Sequence, residues 1–348
     1  MSVTRHMFGY LPSGEAVEKI TLKGNGGLTV SLLTYGAAVQ EILFAGQDVA
    51  LGFDTLEGYL AGSSFQGAMI GRYGNRIAQG MFELNGHTYD VGCNEGGFGH
   101  LHGGDGGFHT RLWSADIMDS GEEPMVRFSY TSADGEEGYP GKLEVSVDVT
   151  VTADDALKFS YQAHSDQDTV VNLTNHTYFN LHGWQNGTIL DLDLQINADA
   201  VTPVNYRFIP TGEILPVEGT PFDFREPKPI GQDMDLSHEQ LAICGGYDHN
   251  FVLGECGKPK LAARAFSKKS GIGLECTTDQ PGMQVYVSNG LSENTGKGGV
   301  ALYKHQGLCL ETQHYPDSPH HTHFPSTILR TGETFHSETA YRFFKENL

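Results

Sequence analysis

The stretch "VNLTNHTYFNLHGW", residues 171–184, alternates like a strand, yet the side that should meet water carries no charge. Its odd positions supply Val171, Leu173, Asn175, Thr177, Phe179 and Leu181. Its even positions supply Asn172, Thr174, His176, Tyr178, Asn180 and His182. A half-buried strand usually sets an apolar face against one that includes Lys, Glu or Asp. Here that second face is a row of neutral hydrogen-bonding groups that includes His176, a titratable centre. If the row is buried, its hydrogen bonds must be met, because an unmet buried polar group costs about 1–3 kcal/mol. A polyol such as a sugar could meet them, and Tyr178 could stack on its apolar face. A plain solvated face is the alternative.

A second group able to move a proton is Glu311, in "GLCLETQHYPDSP". Alternation puts Leu308 and Leu310 on the core side and Glu311 with Cys309 and Gln313 on the other. The carboxylate is either an edge group or a base in an apolar pocket, where burial raises its pKa toward neutrality. Asp248, in "GYDHNFVL", is either a turn residue or a ligand for a hydroxyl. "GRYGNRI" sets Arg72 and Arg76 four apart around Gly74. Each offers a rigid fork of donors for hydroxyls or a carboxylate, or is a solvated loop residue. No G-x-x-x-x-G-K-[ST] pattern accompanies them, which argues against a phosphate loop. "NEGGFGHLHGGDGGFH", residues 94–109, is rich enough in glycine to bring backbone close to a ligand. The H-x-H pairs His100/His102 and His321/His323 lack the acidic or cysteine neighbours that complete a metal site. No metal and no cofactor is expected.

Strands must position these groups. Residues 143–152, "LEVSVDVTVT", alternate without error, and Leu157, Phe159 and Tyr161 continue after a turn at Asp154-Asp155. Leu190, Leu192, Leu194 and Ile196 repeat the pattern. Asn85-Gly86 in "ELNGHTYDV" signals a type I′ hairpin, and Asn186-Gly187 offers a second such pair. Helical pattern is scarce; the best candidate is "LSHEQLAIC", with Ser237 and Gln240 as a capping box. Strands joined by Gly-rich turns, with no strand–helix alternation, predict an all-β antiparallel sandwich or barrel with very few short helices. No linker divides the 348 residues, so residues 1–348 read as a single domain.

Composition narrows the partners. A formal charge of -21 with no basic cluster excludes nucleic acid and anionic membrane as partners. No stretch approaches the about 20 apolar residues of a membrane span, and the N-terminus lacks a signal peptide's apolar run. Five cysteines, odd in number and never C-x-x-C, fit a reduced, cytoplasmic compartment. A monomer or homodimer acting on a small molecule is expected.

Taken together, these stretches resemble the aldose 1-epimerases, or galactose mutarotases. The matching motifs, in order, are "GRYGNRIAQGMF", "LHGGDGGF", "DGEEGYPG", "VNLTNHTYFNL", "IPTGEI", "GYDHNF", "QPGMQVY" and "CLETQHYPDSP". Each is weak alone; eight in register over nearly the whole chain are specific. The resemblance implies a large antiparallel β-sandwich, the galactose mutarotase-like supersandwich. It implies cofactor-free interconversion of the α and β anomers of a free hexose, D-galactose or D-glucose. Glu311 would take the proton from the C1 hydroxyl, and His176 would protonate the ring oxygen. Arg76 and His102 would hold the ring-oxygen side, while Asn75, Tyr178, Asp248 and Gln284 would bind hydroxyls. Three places depart from the family: Gly74 replaces a common alanine, His109-Thr110 replace Asp or Asn followed by Lys or Arg, and the 94–104 loop is richer in glycine. They bear on sugar preference, not on the reaction. Two rivals are a non-catalytic carbohydrate-binding protein on the same fold and a glycoside hydrolase pairing Glu311 with Asp248.

Overall fold

The computed structural model describes residues 1–118, 121, 123–293 and 295–347. Strand Leu143–Val151 forms where the alternation is cleanest, with Leu143, Val145, Val147, Val149 and Val151 on its buried face. It pairs with Ala156–Ser165, so that Val147 lies opposite Tyr161 and Val149 opposite Phe159. β-branched and aromatic cross-strand pairs of this kind stabilise a sheet by about 0.2–1 kcal/mol each. The two strands sit inside a nine-stranded antiparallel sheet. Its order is 114–118, 125–132, 143–151, 156–165, 335–345, 272–278, 260–266, 193–196, 228–229. A five-stranded antiparallel sheet orders 215–216, 200–202, 248–252, 282–286, 309–313. Phe251, Met283, Val285 and Leu310 from this sheet join Phe159, Tyr161, Leu274, Tyr341 and Phe343 of the larger one in one core cluster. Cross-layer hydrogen bonds fix the layers: the Tyr341 hydroxyl donates to the Leu310 carbonyl at 2.6 Å, and Thr312 and Thr339 share a 2.6 Å contact.

The Asn85-Gly86 hairpin is present, both residues at positive φ, between Met81–Leu84 and His87–Asp90. Only two short α-helices occur among the described residues, Leu56–Ala61 and Glu239–Cys244. The expected capping box at the second is absent. His238 is the N-cap and contributes no side-chain bond. Ser237 bonds Asp235, and Gln240 is drawn away to bond the backbone of Val204 through both its amide atoms.

The 171–182 segment also differs from a regular two-faced strand. Both its faces are buried. Only Thr174–Asn175 joins a ladder, with Met69–Ile70; isolated bridges tie Asn172 to Tyr73 and Phe179 to Ala50 and Leu308. The chain here threads between layers, so its even-numbered side chains do not share one environment. Asn172 accepts from the His314 backbone amide, Asn180 donates to Gly187 and Gln306 carbonyls, and His182 bonds Ser267 and Asp191.

Candidate active site

Alternation on three neighbouring strands builds the floor. With Leu310 and Thr312 turned to the core, Cys309, Glu311 and Gln313 point to the opposite face of the five-stranded sheet. Register sets Gln284 beside Glu311, and Tyr286 beside Asp248. Gln284 is buried and donates to Asp248 Oδ1 at 2.7 Å. It therefore stands behind the cavity wall and fixes Asp248, rather than lining the cavity itself.

His176 and Tyr178 reach this face from above. The backbone of His176 is clamped by Gly67 and Ala68, each through a 2.9 Å bond. Gly67 has φ of 68°, and a Cβ there would lie 2.0 Å from the Val39 carbonyl oxygen, so only glycine fits. Asn75 and His102 lock each other. The Asn75 carbonyl accepts from the His102 backbone N–H at 2.9 Å, and the Asn75 backbone N–H donates to His102 Nδ1 at 3.2 Å. Arg76 begins the short strand Arg76–Ala78, paired with Gly99–Leu101, and forks onto Glu95 at 2.6 and 2.7 Å. The two arginines of "GRYGNRI" are both buried, against the solvated-loop alternative, and they have separate jobs. Arg72 faces away and is capped by the Ser132 hydroxyl and by the carbonyls of Ser132, Ala133 and Pro140.

A cavity of about 190 Å³ results, lined among others by Asn75, Arg76, His102, His176, Tyr178, Asp248 and Glu311. That is below the about 300–1,000 Å³ of drug-sized sites and suits a single monosaccharide ring. His176 Nε2 lies 3.5 Å from Glu311 Oε1. The other carboxylate oxygen, Oε2, has no hydrogen-bond partner among the described residues. Glu311 is pushed well above the usual carboxylate range, first by burial and then by the charge of Asp248. His176 is pulled down to about 4, mainly by burial. Burial likewise holds His102 neutral. Since its Nδ1 accepts a hydrogen bond, the His102 proton sits on Nε2, which is then a fixed donor. This bears on metal binding. The ligand atoms of His102, His176 and Glu311 come within 4.8 Å of one another, but a His102 that carries its proton on Nε2 has no lone pair there to give.

Against this geometry the comparisons with known proteins are direct. The family model described as aldose 1-epimerase matches residues 18–342. The chain belongs to the aldose 1-epimerase family. It is 43% identical to the galactose mutarotase of Rattus norvegicus over 99% of both chains. It is 36% identical to the aldose 1-epimerase of Escherichia coli, covering 96% of this chain and 97% of that one. Among solved structures, the GalM/aldose epimerase homologue from C. elegans superposes with a TM-score of 0.87 at 31% identity, over 95% of this chain and 100% of the other. The galactose 1-epimerase from Lactobacillus acidophilus gives 0.88 at 27% identity, over 99% of each. As a member of the aldose 1-epimerase family, the chain is an isomerase, and its fold is the antiparallel sandwich of that family.

Several residues at the cavity have no sequence signal of their own. Tyr286 shares its strand with Gln284 and packs its ring 6.1 Å from that of Tyr178. Glu95 emerges from the Gly-rich loop to hold Arg76. Phe65 stacks against His176 at 5.9 Å between ring centres. At the rim, Glu293 accepts from the Ser63 backbone N–H at 3.1 Å and the Ser64 hydroxyl at 2.7 Å, joining two loops 230 residues apart in sequence. Of these, Tyr286 was accessible by parity from Gln284; the others depend on how loops meet.

Proposed function

We propose that the enzyme interconverts the α and β anomers of a free hexose, D-galactose or D-glucose, with Glu311 as base and His176 as acid. The observation that carries this reading is the 3.5 Å approach of His176 Nε2 to Glu311 Oε1 in a cavity of monosaccharide size. Anomer exchange needs one proton removed from the C1 hydroxyl and one delivered to the adjacent ring oxygen. Glu311, as carboxylate, takes the first. The C1–ring-oxygen bond breaks, its electron pair stays on the ring oxygen, and His176 supplies the proton there. A carbonyl forms at C1, the C1–C2 bond turns, and the hydroxyl adds to the opposite face while the two groups exchange roles. Every proton is returned, so no cofactor is required. The opposed pKa directions favour the arrangement in which Glu311 holds the pair's proton. The productive one is reached by moving that proton to His176 across the same short gap.

Arg76 and the Nε2–H of His102 are donors without acceptor character. The ring oxygen is the one oxygen of a hexose that bears no hydrogen, so it is the atom these two groups suit. Asn75, Tyr178 and Asp248 bind hydroxyls, with Gln284 holding Asp248. Five unpaired cysteines suit a reducing cytoplasm, and no helix among the described residues is long and apolar enough to cross a membrane. The protein acts as a monomer or homodimer.

Polarimetry on freshly dissolved α-D-galactose and α-D-glucose tests the reading. Faster approach to anomeric equilibrium, lost in Glu311→Ala, is expected; equal rates with and without folded enzyme would refute it. His176→Asn is expected to lower kcat by about 10²–10⁴-fold, the usual worth of acid–base help, with a much smaller change in KM. A change confined to KM would refute the acid role. The charge of Asp248 predicts a pH effect. Turnover needs one proton shared by Glu311 and His176, so it falls as pH rises through the raised pKa of Glu311, where that proton is lost. Asp248→Asn removes the like charge and is expected to move this alkaline limb to lower pH in a kcat/KM profile, whatever it does to the plateau. An unmoved limb would show that Glu311 does not set it.

A further inference from the structure

A second cavity, of about 380 Å³, lies directly beside the first, and Ser63, Ser64, Phe65 and Leu101 line both. Phe65 is the aromatic partition. On one side its ring stacks on His176 at 5.9 Å and meets His102 edge-on at 4.7 Å; both histidines line the sugar cavity. On the other side it meets His109 at 4.7 Å, and His109 lines the second cavity. The φ of Phe65 is 54°, a conformation that bulky side chains rarely adopt. Its carbonyl accepts from the Ala68 backbone N–H at 3.1 Å, next to the Gly67 clamp that also holds His176. Loop geometry thus fixes the ring in the wall.

The second cavity is built for neutral, partly apolar matter. Tyr35, Phe53, Tyr59 and Leu60 supply apolar wall. Gln66, which is 3% exposed, leaves Oε1 without a hydrogen-bond partner among the described residues, and His109 leaves Nδ1 so. Its described lining includes Glu95 and Asp105 but no lysine or arginine, which disfavours a phosphate or carboxylate.

The orientation of the sugar says what Phe65 faces. If Arg76 and His102 hold the ring oxygen, the carbon beside that oxygen, other than C1, is C5, and C6 projects from it. Phe65 touches both rings at that corner. Resting on the proposed function, we propose that Phe65 is the specificity-determining residue for the C5 substituent. It admits a bare hydroxymethyl group and shuts out aldoses with a bulky neutral group on O6, for which the second cavity is a closed subsite.

The test compares D-galactose with its 6-O-benzyl and 2-O-benzyl ethers in wild type and Phe65→Ala. Polarimetry gives kcat/KM for each sugar, and calorimetry gives dissociation constants that stay readable if a variant is inactive. Opening the partition is expected to raise the 6-O-benzyl-to-galactose ratio at least tenfold, with the 2-O-benzyl ratio unmoved. Phe65→Leu, which keeps a smaller apolar side chain unbranched at Cβ in the wall, is expected to fall between and serves if the alanine variant does not fold. An unmoved ratio, or an equal gain for the 2-O-benzyl ether, would overturn the assignment. Wild type that leaves galactose mutarotation unaccelerated would instead overturn the underlying function, so the two failures are distinct.

Discussion

Glu311→Gln is expected to reduce catalysed mutarotation by roughly 10³-fold or more, because it removes the base and leaves only positioning by the surrounding donors. It is also expected to raise thermal stability, by an amount that grows with pH. Free glutamate ionises near about 4.3, whereas burial and the charge of Asp248 hold Glu311 protonated further up. Between those two values the folded chain keeps a proton that the unfolded chain has released. Wild-type stability therefore falls as pH rises through that window. Glutamine has no proton to lose and escapes the penalty. Melting curves of both proteins at pH 5 and pH 8 would show a gap that widens at the higher value. A gap that is constant, or that narrows, would mean that Glu311 is not held at raised pKa. Loss of activity together with gain of stability is the usual signature of a group kept in place for chemistry at the expense of folding.

The second large effect falls on stability alone. Arg72 is 2% exposed, and its guanidinium donates to three backbone carbonyls and one hydroxyl. It ties the loop around Pro140 to the segment that leads into Asn75 and Arg76. Arg72→Met keeps most of the volume but strips those acceptors of their donor. The expected cost is about 3–5 kcal/mol, from several acceptors left unmet at about 1–3 kcal/mol each. That is a large share of a typical folding free energy of about 5–15 kcal/mol. Urea unfolding would read it as a lower midpoint with an unchanged slope. A loss below about 1 kcal/mol would show that water replaces the guanidinium, as the solvated-loop alternative requires. Arg76→Met makes the contrast: its partner Glu95 is partly exposed, so its main effect is expected on turnover.

Much of this was legible because strands write their faces in parity. The valines of 143–151 announce a sheet, and Leu308 and Leu310 place Glu311 on the side away from the core. The 171–182 stretch misled in part, for a physical reason. Parity is informative where a strand separates two environments. This segment is enclosed on both sides, so Asn172, Asn180 and His182 bond to three different parts of the chain, while His176 and Tyr178 line the cavity. Arg72 and Arg76 carry the same side chain in one short motif, and only the fold decides which caps carbonyls and which faces the cavity. Glu95, Phe65 and Glu293 lay beyond reach, since each matters through a loop brought in from elsewhere. Gln240 shows the reverse: a helix-capping signal that was real locally and lost to a stronger tertiary partner.

The strand Cys309–Gln313 places Leu310 and Thr312 in the core and Cys309, Glu311 and Gln313 on the opposite face. Folding and chemistry are thus interleaved along five residues, each confined to every second position. Losing or gaining one residue inside this strand would exchange the two sets, sending the carboxylate into hydrocarbon and leucine toward the sugar. Single replacements can be tried one at a time by natural variation, since each touches one of the two jobs. A change of length touches both at once. The spacing of this pentapeptide is therefore held by two independent demands, and drift in it is closed off more tightly than drift in any of its letters.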